Sequence, residues 1–214
     1  MCRAKVAVID YGMGNLLSVQ RSLEYVGSEV SITSEPERIL SADRVVLPGV
    51  GAFPDAMKEL SCRQLVDVIR SVARNNIPLL GICLGMQVLF SSSLEFKETA
   101  GLGLIAGRVV PLPATGADGA PQKIPHVGWA GLQPVGNVGW AEGVLAAVKP
   151  GEAAYFAHSF MAQPEAVESK IAYCHYNGVP IAAVVGSGRV IGCQFHPEKS
   201  GDVGLRILRR FLSF

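Results

Sequence analysis

Pro78-Leu-Leu-Gly-Ile-Cys83-Leu-Gly-Met-Gln87-Val-Leu-Phe90 joins a short apolar run to apolar residues at helical spacing, with one cysteine at the join. Pro78 to Ile82 reads as a buried strand, and Gln87 to Phe90 as the continuation of a helix. Gly81 and Gly85 stand two positions either side of Cys83, as small residues do around the serine of a nucleophile elbow. A sharp strand-to-helix turn crowds the backbone, and glycine relieves the crowding. The turn lifts the sulfur above the sheet edge and aims the first helical amides at it, which stabilises a thiolate. Cys83 is therefore the candidate nucleophile.

A thiol nucleophile needs a base, and the chain has four histidines, at positions 126, 158, 175 and 196. Val190 to Phe195 reads as a strand, and His196-Pro197-Glu198 follows at its end, where loop residues converge on sites. Pro197 restricts His196 to extended geometry. Glu198 can then reach back to one imidazole nitrogen and leave the other free to accept the thiol proton. A cysteine at a strand end is by default a small buried hydrophobe. The elbow and the strand-His-Pro-Glu segment each supply what the other lacks, and together they point to chemistry.

These residues resemble a known family. Gly81-Ile-Cys-Leu-Gly-Met-Gln87 with Gln194-Phe-His-Pro-Glu198 is similar to the class I (triad) glutamine amidotransferases, and more narrowly to their glutaminase subunits in imidazole glycerol phosphate synthase. The narrower likeness rests on Asp10-Tyr-Gly-Met-Gly-Asn15, Leu47-Pro-Gly-Val-Gly-Ala-Phe53, Lys123-Ile-Pro-His126 with Gly128-Trp129, Tyr155-Phe-Ala-His-Ser159 and His196-Pro-Glu-Lys-Ser200. It covers essentially the whole chain. The resemblance implies a flavodoxin-like α/β fold, largely parallel in its central sheet and with an additional β-rich half, forming one amidotransferase domain over residues 1–214.

It further implies glutamine hydrolysis through a cysteinyl thioester, with Cys83 as nucleophile, His196 as base and Glu198 as its orienter. Val50 or Gly51, with Leu84, would form the oxyanion hole. Gly49, Gln87, Glu95, His158, Ser159 and Phe160 would surround the substrate, Gln87 and Glu95 holding its amino-acid end. Pro125, Trp129, Tyr155 and Lys199 would face a (β/α)8-barrel cyclase subunit. That partner would receive the ammonia and make imidazole glycerol phosphate and aminoimidazole carboxamide ribotide in histidine biosynthesis. Two positions depart from the family pattern: Ala130 follows Gly-Trp in place of asparagine, and Phe160 stands where tyrosine is common. A paralogous glutaminase feeding another synthase, such as one for amidino sugars of surface polysaccharide, is the alternative within the class.

Composition bounds the rest. With 214 residues the chain can bury a substantial core, and one large domain is the expectation. Nineteen basic and 18 acidic residues, a net charge of +1, leave no footprint for nucleic acid or an anionic membrane. Five cysteines without close paired spacing argue against a disulfide framework and fit a reducing cytosol. No signal-peptide core or membrane-length apolar run is present, so a soluble intracellular protein is expected. No cofactor is expected. Cys193 and His196 have a C-x-x-H spacing, but no second pair with zinc spacing accompanies them, and no metal is expected.

Along the chain, strands are expected at Lys5 to Asp10, Val30 to Thr33 and Arg44 to Leu47, alternating with helices and so implying a parallel sheet. Asn15 is expected to cap the first helix. A dinucleotide site at Gly12-Met-Gly14 is disfavoured because position 17 is leucine, where the fingerprint needs glycine. Pro48-Gly-Val-Gly51 reads as a loop whose backbone can flip about Val50. Met57 to Asn75 reads as helical with a break around Ser61, and Val203 to Phe214 as an amphipathic helix with Leu205, Leu208, Phe211 and Leu212 inward. From Gly101 the chain is mostly β, with strands at Leu104 to Leu112, Ala153 to Phe160, Ile171 to Tyr176 and Ile181 to Val185. Two competing readings are an N-terminal nucleophile at Cys2, disfavoured by its neighbours and by end fraying, and a binding module that keeps the fold without the reaction.

Overall fold

The computed structural model describes residues 3–136, 140 and 143–213; Cys2 and Phe214, which figure in two of the readings above, lie outside the described residues. The first half alternates strand and helix: β1 (Lys5–Ile9), α1 (Leu16–Tyr25), β2 (Glu29–Thr33), α2 (Pro36–Leu40), β3 (Arg44–Gly49), α3 (Phe53–Cys62), α4 (Leu65–Arg74), β4 (Leu79–Cys83) and α5 (Leu84–Gln87). The second half is almost all strand: β5 (Phe90–Ser93), β6 (Thr99–Ala100), β7 (Ile105–Pro111), β8 (His126–Gly131), β9 (Gln133–Pro134), β10 (Ala153–His158), β11 (Phe160–Pro164), β12 (Lys170–Tyr176), β13 (Val179–Ser187) and β14 (Val190–Cys193). It closes with α6 (Gly201–Leu212).

Eight strands form the central sheet in the order β2-β1-β3-β4-β14-β13-β12-β9. Pairing is parallel from β2 through β14 and antiparallel from there to β9. Successive side chains on a strand point to opposite faces, so β1 sends Val6 and Val8 into one core and Ala7 and Ile9 into the other. Val19 and Leu23 of α1 with Ile207, Leu208 and Phe211 of α6 cover the first face. Phe53, Leu60, Leu65, Ile69 and Val72 of α3 and α4 cover the second. A parallel sheet buried on both faces needs continuous apolar strands, and the fully buried Leu79-Leu-Gly-Ile-Cys83 is one. The β-rich half adds a β11-β7-β5-β6 sheet and a separate β10-β8 pair.

Several local expectations need correction. The helix after Cys83 lasts one turn, Leu84–Gln87, and Phe90 already begins β5. Cys83 therefore faces a single turn of amides, and the dipole of a long helix does not act on it. The helical stretch expected from Met57 starts at Phe53, where Pro54 occupies the first turn without losing a needed N–H. Its break lies at Gln64, which is left-handed at φ 57°, beyond Ser61. Asn15 stands at the N-cap of α1 but makes no side-chain capping bond. Ser159 divides the strand expected over Ala153 to Phe160 into β10 and β11. In α6 the inward residues are Gly204, Ile207, Leu208 and Phe211, with Leu205 and Leu212 only half-buried. Strand β8 was not expected at all.

Tyr11, at the end of β1, is fully buried, and its hydroxyl has no hydrogen-bond partner among the described residues. A Cβ placed on Gly49 would collide with that hydroxyl, so Tyr11 fills the space directly behind the loop after β3. An unpartnered buried hydroxyl costs about 1–3 kcal/mol. Tyr11→Phe is accordingly expected to raise unfolding free energy by about 1 kcal/mol in a denaturant titration. A loss of that size instead would show that the hydroxyl is bonded in solution.

Candidate active site

Sites in open α/β sheets form outside the carboxyl ends of the strands, and here the ends of β3, β4 and β14 converge. Cys83 closes β4 at φ 55° and ψ −110°, a strained conformation for a residue with a side chain. The flanking glycines allow it. A Cβ on Gly85 would overlap the carbonyl oxygen of Leu47, and one on Gly81 would sit 2.6 Å from the carbonyl oxygen of Gly85. Both positions demand hydrogen because the elbow packs backbone against backbone, as the spacing predicts.

His196 stands just beyond β14, its backbone N–H bonded to the carbonyl of Tyr155 at 2.9 Å. Ser200 donates to the His196 carbonyl at 2.6 Å and accepts from the Tyr155 N–H at 2.9 Å, tying the loop to β10. Nδ1 of His196 lies 2.8 Å from Oε1 of Glu198, and both side chains are almost fully buried. The other carboxylate oxygen, Oε2, has no partner among the described residues, so His196 is the group that answers this charge. Burial opposes a charge on His196, but hydrogen bonds to Cys83 and Glu198 outweigh it and raise the imidazole to about 9. Thiol, imidazole and carboxylate thus stand in series, with the ring placed to take the thiol's proton and Glu198 to stabilise the resulting charge. Such a series can attack an electrophilic carbon with sulfur and hand a proton to the leaving group.

The other described cysteines differ from Cys83. Burial pushes the Cys174 thiol up to about 12, and burial with the Glu198 charge raises Cys193 as well, which leaves both as inert core residues. Cys62 is exposed on α3, away from the convergence. Among the described residues no group of three or more His, Cys, Asp or Glu is arranged to hold a metal.

A cavity of about 320 Å³ opens over the sulfur, lined by Val50, Gly51, Cys83, Leu84, Gln87, Glu95, Pro125, Val127, Ala157, His158, Ser159 and Phe160. Gly51 is left-handed at φ 111°, so the loop uses the freedom that glycine provides. Gly49 lies behind this wall, paired in register with Cys83 and packed on Tyr11. Glu95 is buried, and its Oε2 accepts from the Phe53 N–H at the start of α3 at 2.7 Å. Burial raises the pKa of Glu95 despite that bond. Pro125, expected on a partner face, lines the cavity, as does Val127. Trp129 is 59% exposed and meets Tyr155 edge to face across the β8-β10 pair, at 5.9 Å between ring centroids. Lys199 is exposed one residue past Glu198.

Sequence reasoning missed two side chains. Gln194 is completely buried; its Nε2 points at the Cys83 sulfur at 3.9 Å, and its Oε1 accepts from Gln87 Nε2 at 3.0 Å. The available signal was its place two residues before His196, on the same face of an extended segment. His126 is buried opposite His158, and no pattern in a proline-broken segment announces a buried ring.

Comparison with known proteins identifies the family. Residues 7–213 match the family described as glutamine amidotransferase class-I. The chain belongs to that family. A Legionella pneumophila (strain Lens) relative, imidazole glycerol phosphate synthase subunit HisH 1, is 48% identical over 210 residues, covering 98% of this chain and 99% of its own. A Lactococcus lactis relative, imidazole glycerol phosphate synthase subunit HisH, is 44% identical over 97% of this chain and 98% of its own. Among solved structures, a glutamine amidotransferase superposes at a TM-score of 0.71 with 19% identity, covering 98% and 99% of the two chains. A chain of PurLQS from Thermotoga maritima does so at 0.70 with 19% identity, covering 99% and 98%. At that identity the two structures speak for the fold, which is the α/β amidotransferase architecture expected. No helix among the described residues is long and apolar enough to cross a membrane.

Proposed function

We propose that this enzyme hydrolyses glutamine to glutamate and ammonia and delivers the ammonia to a (β/α)8-barrel cyclase in histidine biosynthesis. The observation that carries this reading is the Cys83–His196–Glu198 series, whose cysteine lines the cavity, in a chain alike from end to end to relatives named as imidazole glycerol phosphate synthase subunits. In the first step the thiol proton of Cys83 passes to His196, the sulfur bonds to the carboxamide carbon, and the C=O electrons move onto oxygen. The N–H groups of Val50 or Gly51 and of Leu84 receive that oxyanion; one such donor is typically worth about a hundred- to a thousand-fold in rate. The C–N bond then breaks as the His196 imidazolium gives its proton to nitrogen, and ammonia leaves a glutamyl thioester. Water, deprotonated by His196, adds to the thioester and releases glutamate and the thiolate.

Glu198 fixes the tautomer and charge of His196 throughout. The amino-acid end of glutamine lies toward Gln87 and Glu95, with Val50, Gly51 and the 158–160 segment forming the walls and Gly49 behind them. Ammonia set free in bulk water is protonated and loses its nucleophilic lone pair, so the reaction is useful only beside an acceptor. The exposed Trp129, with Tyr155, Lys199 and the rim at Pro125, supplies the docking face, aromatic residues being common interface anchors. The whole chain acts as one domain, because one of its two cores joins β1 and α1 to Phe156, Leu132 and α6. Its setting is the cytosol.

Glutamate release by the purified chain, with and without the cyclase and its ribotide ligand, tests the reading. The expected result is weak release from the chain alone and a rise of at least about tenfold with partner and ligand, the scale of a 1.4 kcal/mol coupling. Strong release indifferent to the cyclase would reject the partner and leave the hydrolysis standing.

A further inference from the structure

His126 and His158 stand directly opposite each other on the antiparallel β8-β10 pair, with His126 Nδ1 and His158 Nε2 3.1 Å apart. Nδ1 of His158 lies 2.8 Å from the carbonyl oxygen of Phe160. A carbonyl can only accept, so that nitrogen carries the hydrogen. Burial keeps both rings neutral, His158 being held near 4. The Nε2 of a neutral His158 is then a lone pair, and the hydrogen between the rings belongs to His126. Both nitrogens of His158 are engaged, so it offers no proton to the cavity that it lines.

The Phe160 carbonyl is also where Gln87 Nε2 bonds at 3.2 Å, and Gln87 reaches on to Gln194 and, through it, to the Cys83 sulfur. His126 heads this chain. Its ring is sandwiched between Phe156 and Tyr176, with centroids 5.1 and 4.1 Å away, and it does not line the cavity. We propose that His126 is a positioning residue for glutamine: by donating to His158 it fixes the ring that holds the Phe160 carbonyl, and so sets the wall on which Gln87 and the substrate are placed. This inference rests on the glutaminase reading above.

The test compares two variants of the full chain, assayed with the cyclase. His126→Phe keeps an aromatic ring between Phe156 and Tyr176 but removes the donor; His126→Asn loses the ring and keeps an N–H near the place of Nδ1. The expected outcome is a rise of about tenfold in KM for glutamine in His126→Phe with kcat within about twofold, the scale of one lost hydrogen bond. His126→Asn should stay within about threefold of wild-type KM although its melting temperature falls further. A packing role alone predicts the reverse order, and that order, or an unchanged KM in His126→Phe, overturns the proposal. Imidazole nitrogen NMR provides a second readout: wild-type His158 should show hydrogen on Nδ1 only, mixed tautomers should follow in His126→Phe, and hydrogen on Nε2 in the wild type also overturns it. An inactive wild type that still shows the Nδ1 signature would instead sink the glutaminase reading and leave the relay intact.

Discussion

Replacing Cys83 with alanine is expected to lower glutamate release by about four orders of magnitude or more, while melting temperature stays within a few degrees of wild type. In the proposed reaction the sulfur forms the bond on which both halves depend, and residues that act as one unit lose nearly all their effect together. Alanine removes one atom from a site that already opens onto a cavity, so little packing is lost. Cys62→Ala, Cys174→Ala and Cys193→Ala serve as the comparison. The first is exposed and the other two are buried thiols with raised pKa values, so their effects should appear in stability and leave kcat nearly unchanged. A Cys83→Ala chain that keeps more than about a tenth of wild-type rate would remove the nucleophile from the mechanism.

Glu198→Gln is expected to cost about a hundred- to ten-thousand-fold in rate at neutral pH, and to move the alkaline limb of the rate profile downward from about 9. The folded His196 sits above its ordinary 6.5 through its bonds to Cys83 and Glu198, against the opposing effect of burial. It therefore contributes stability that is complete below about 6.5 and is lost as pH rises through about 9. With glutamine in place of the carboxylate, the imidazolium loses the negative charge beside Nδ1, its pKa falls, and both the general acid and its share of stability disappear earlier on the alkaline side. His158 has the opposite sign: held near 4, below the ordinary 6.5, it weakens the fold as pH falls through that window, independently of Glu198. Rate profiles and urea midpoints from pH 4 to 10, wild type against Glu198→Gln, separate the two. An alkaline limb unmoved by the substitution would detach Glu198 from His196.

The parts of this site that were legible in the sequence are those where one residue type is sterically or chemically compulsory. Gly81 and Gly85 could be read because backbone lies where a Cβ would be, and no other residue fits. His196-Pro-Glu198 could be read because the bonded atoms belong to residues two apart, so local geometry nearly determines the contact. The β-rich half was visible from its glycine, proline and alternation, although Ser159 interrupts a run that pattern alone leaves continuous. Contacts that span the chain were beyond such reading. Gln194 meets Gln87 and Cys83 across more than a hundred residues, and His126 meets His158 only because β8 and β10 pair in that register. The one-turn α5 was misread for a related reason: Val88 to Phe90 carry helix-compatible spacing, but Phe90 pairs with Ile105 on β7, and strand pairing prevails over local pattern.

The most direct test of the central claim is mass spectrometry of the chain, acid-quenched during turnover of glutamine in the presence of the cyclase and its ligand, followed by peptide mapping. The account predicts a glutamyl adduct confined to the peptide that contains Cys83, labile to hydroxylamine as a thioester is and absent from Cys83→Ala. A glutamyl thioester on Cys2 or Cys62, or turnover that persists in Cys83→Ala, would contradict it.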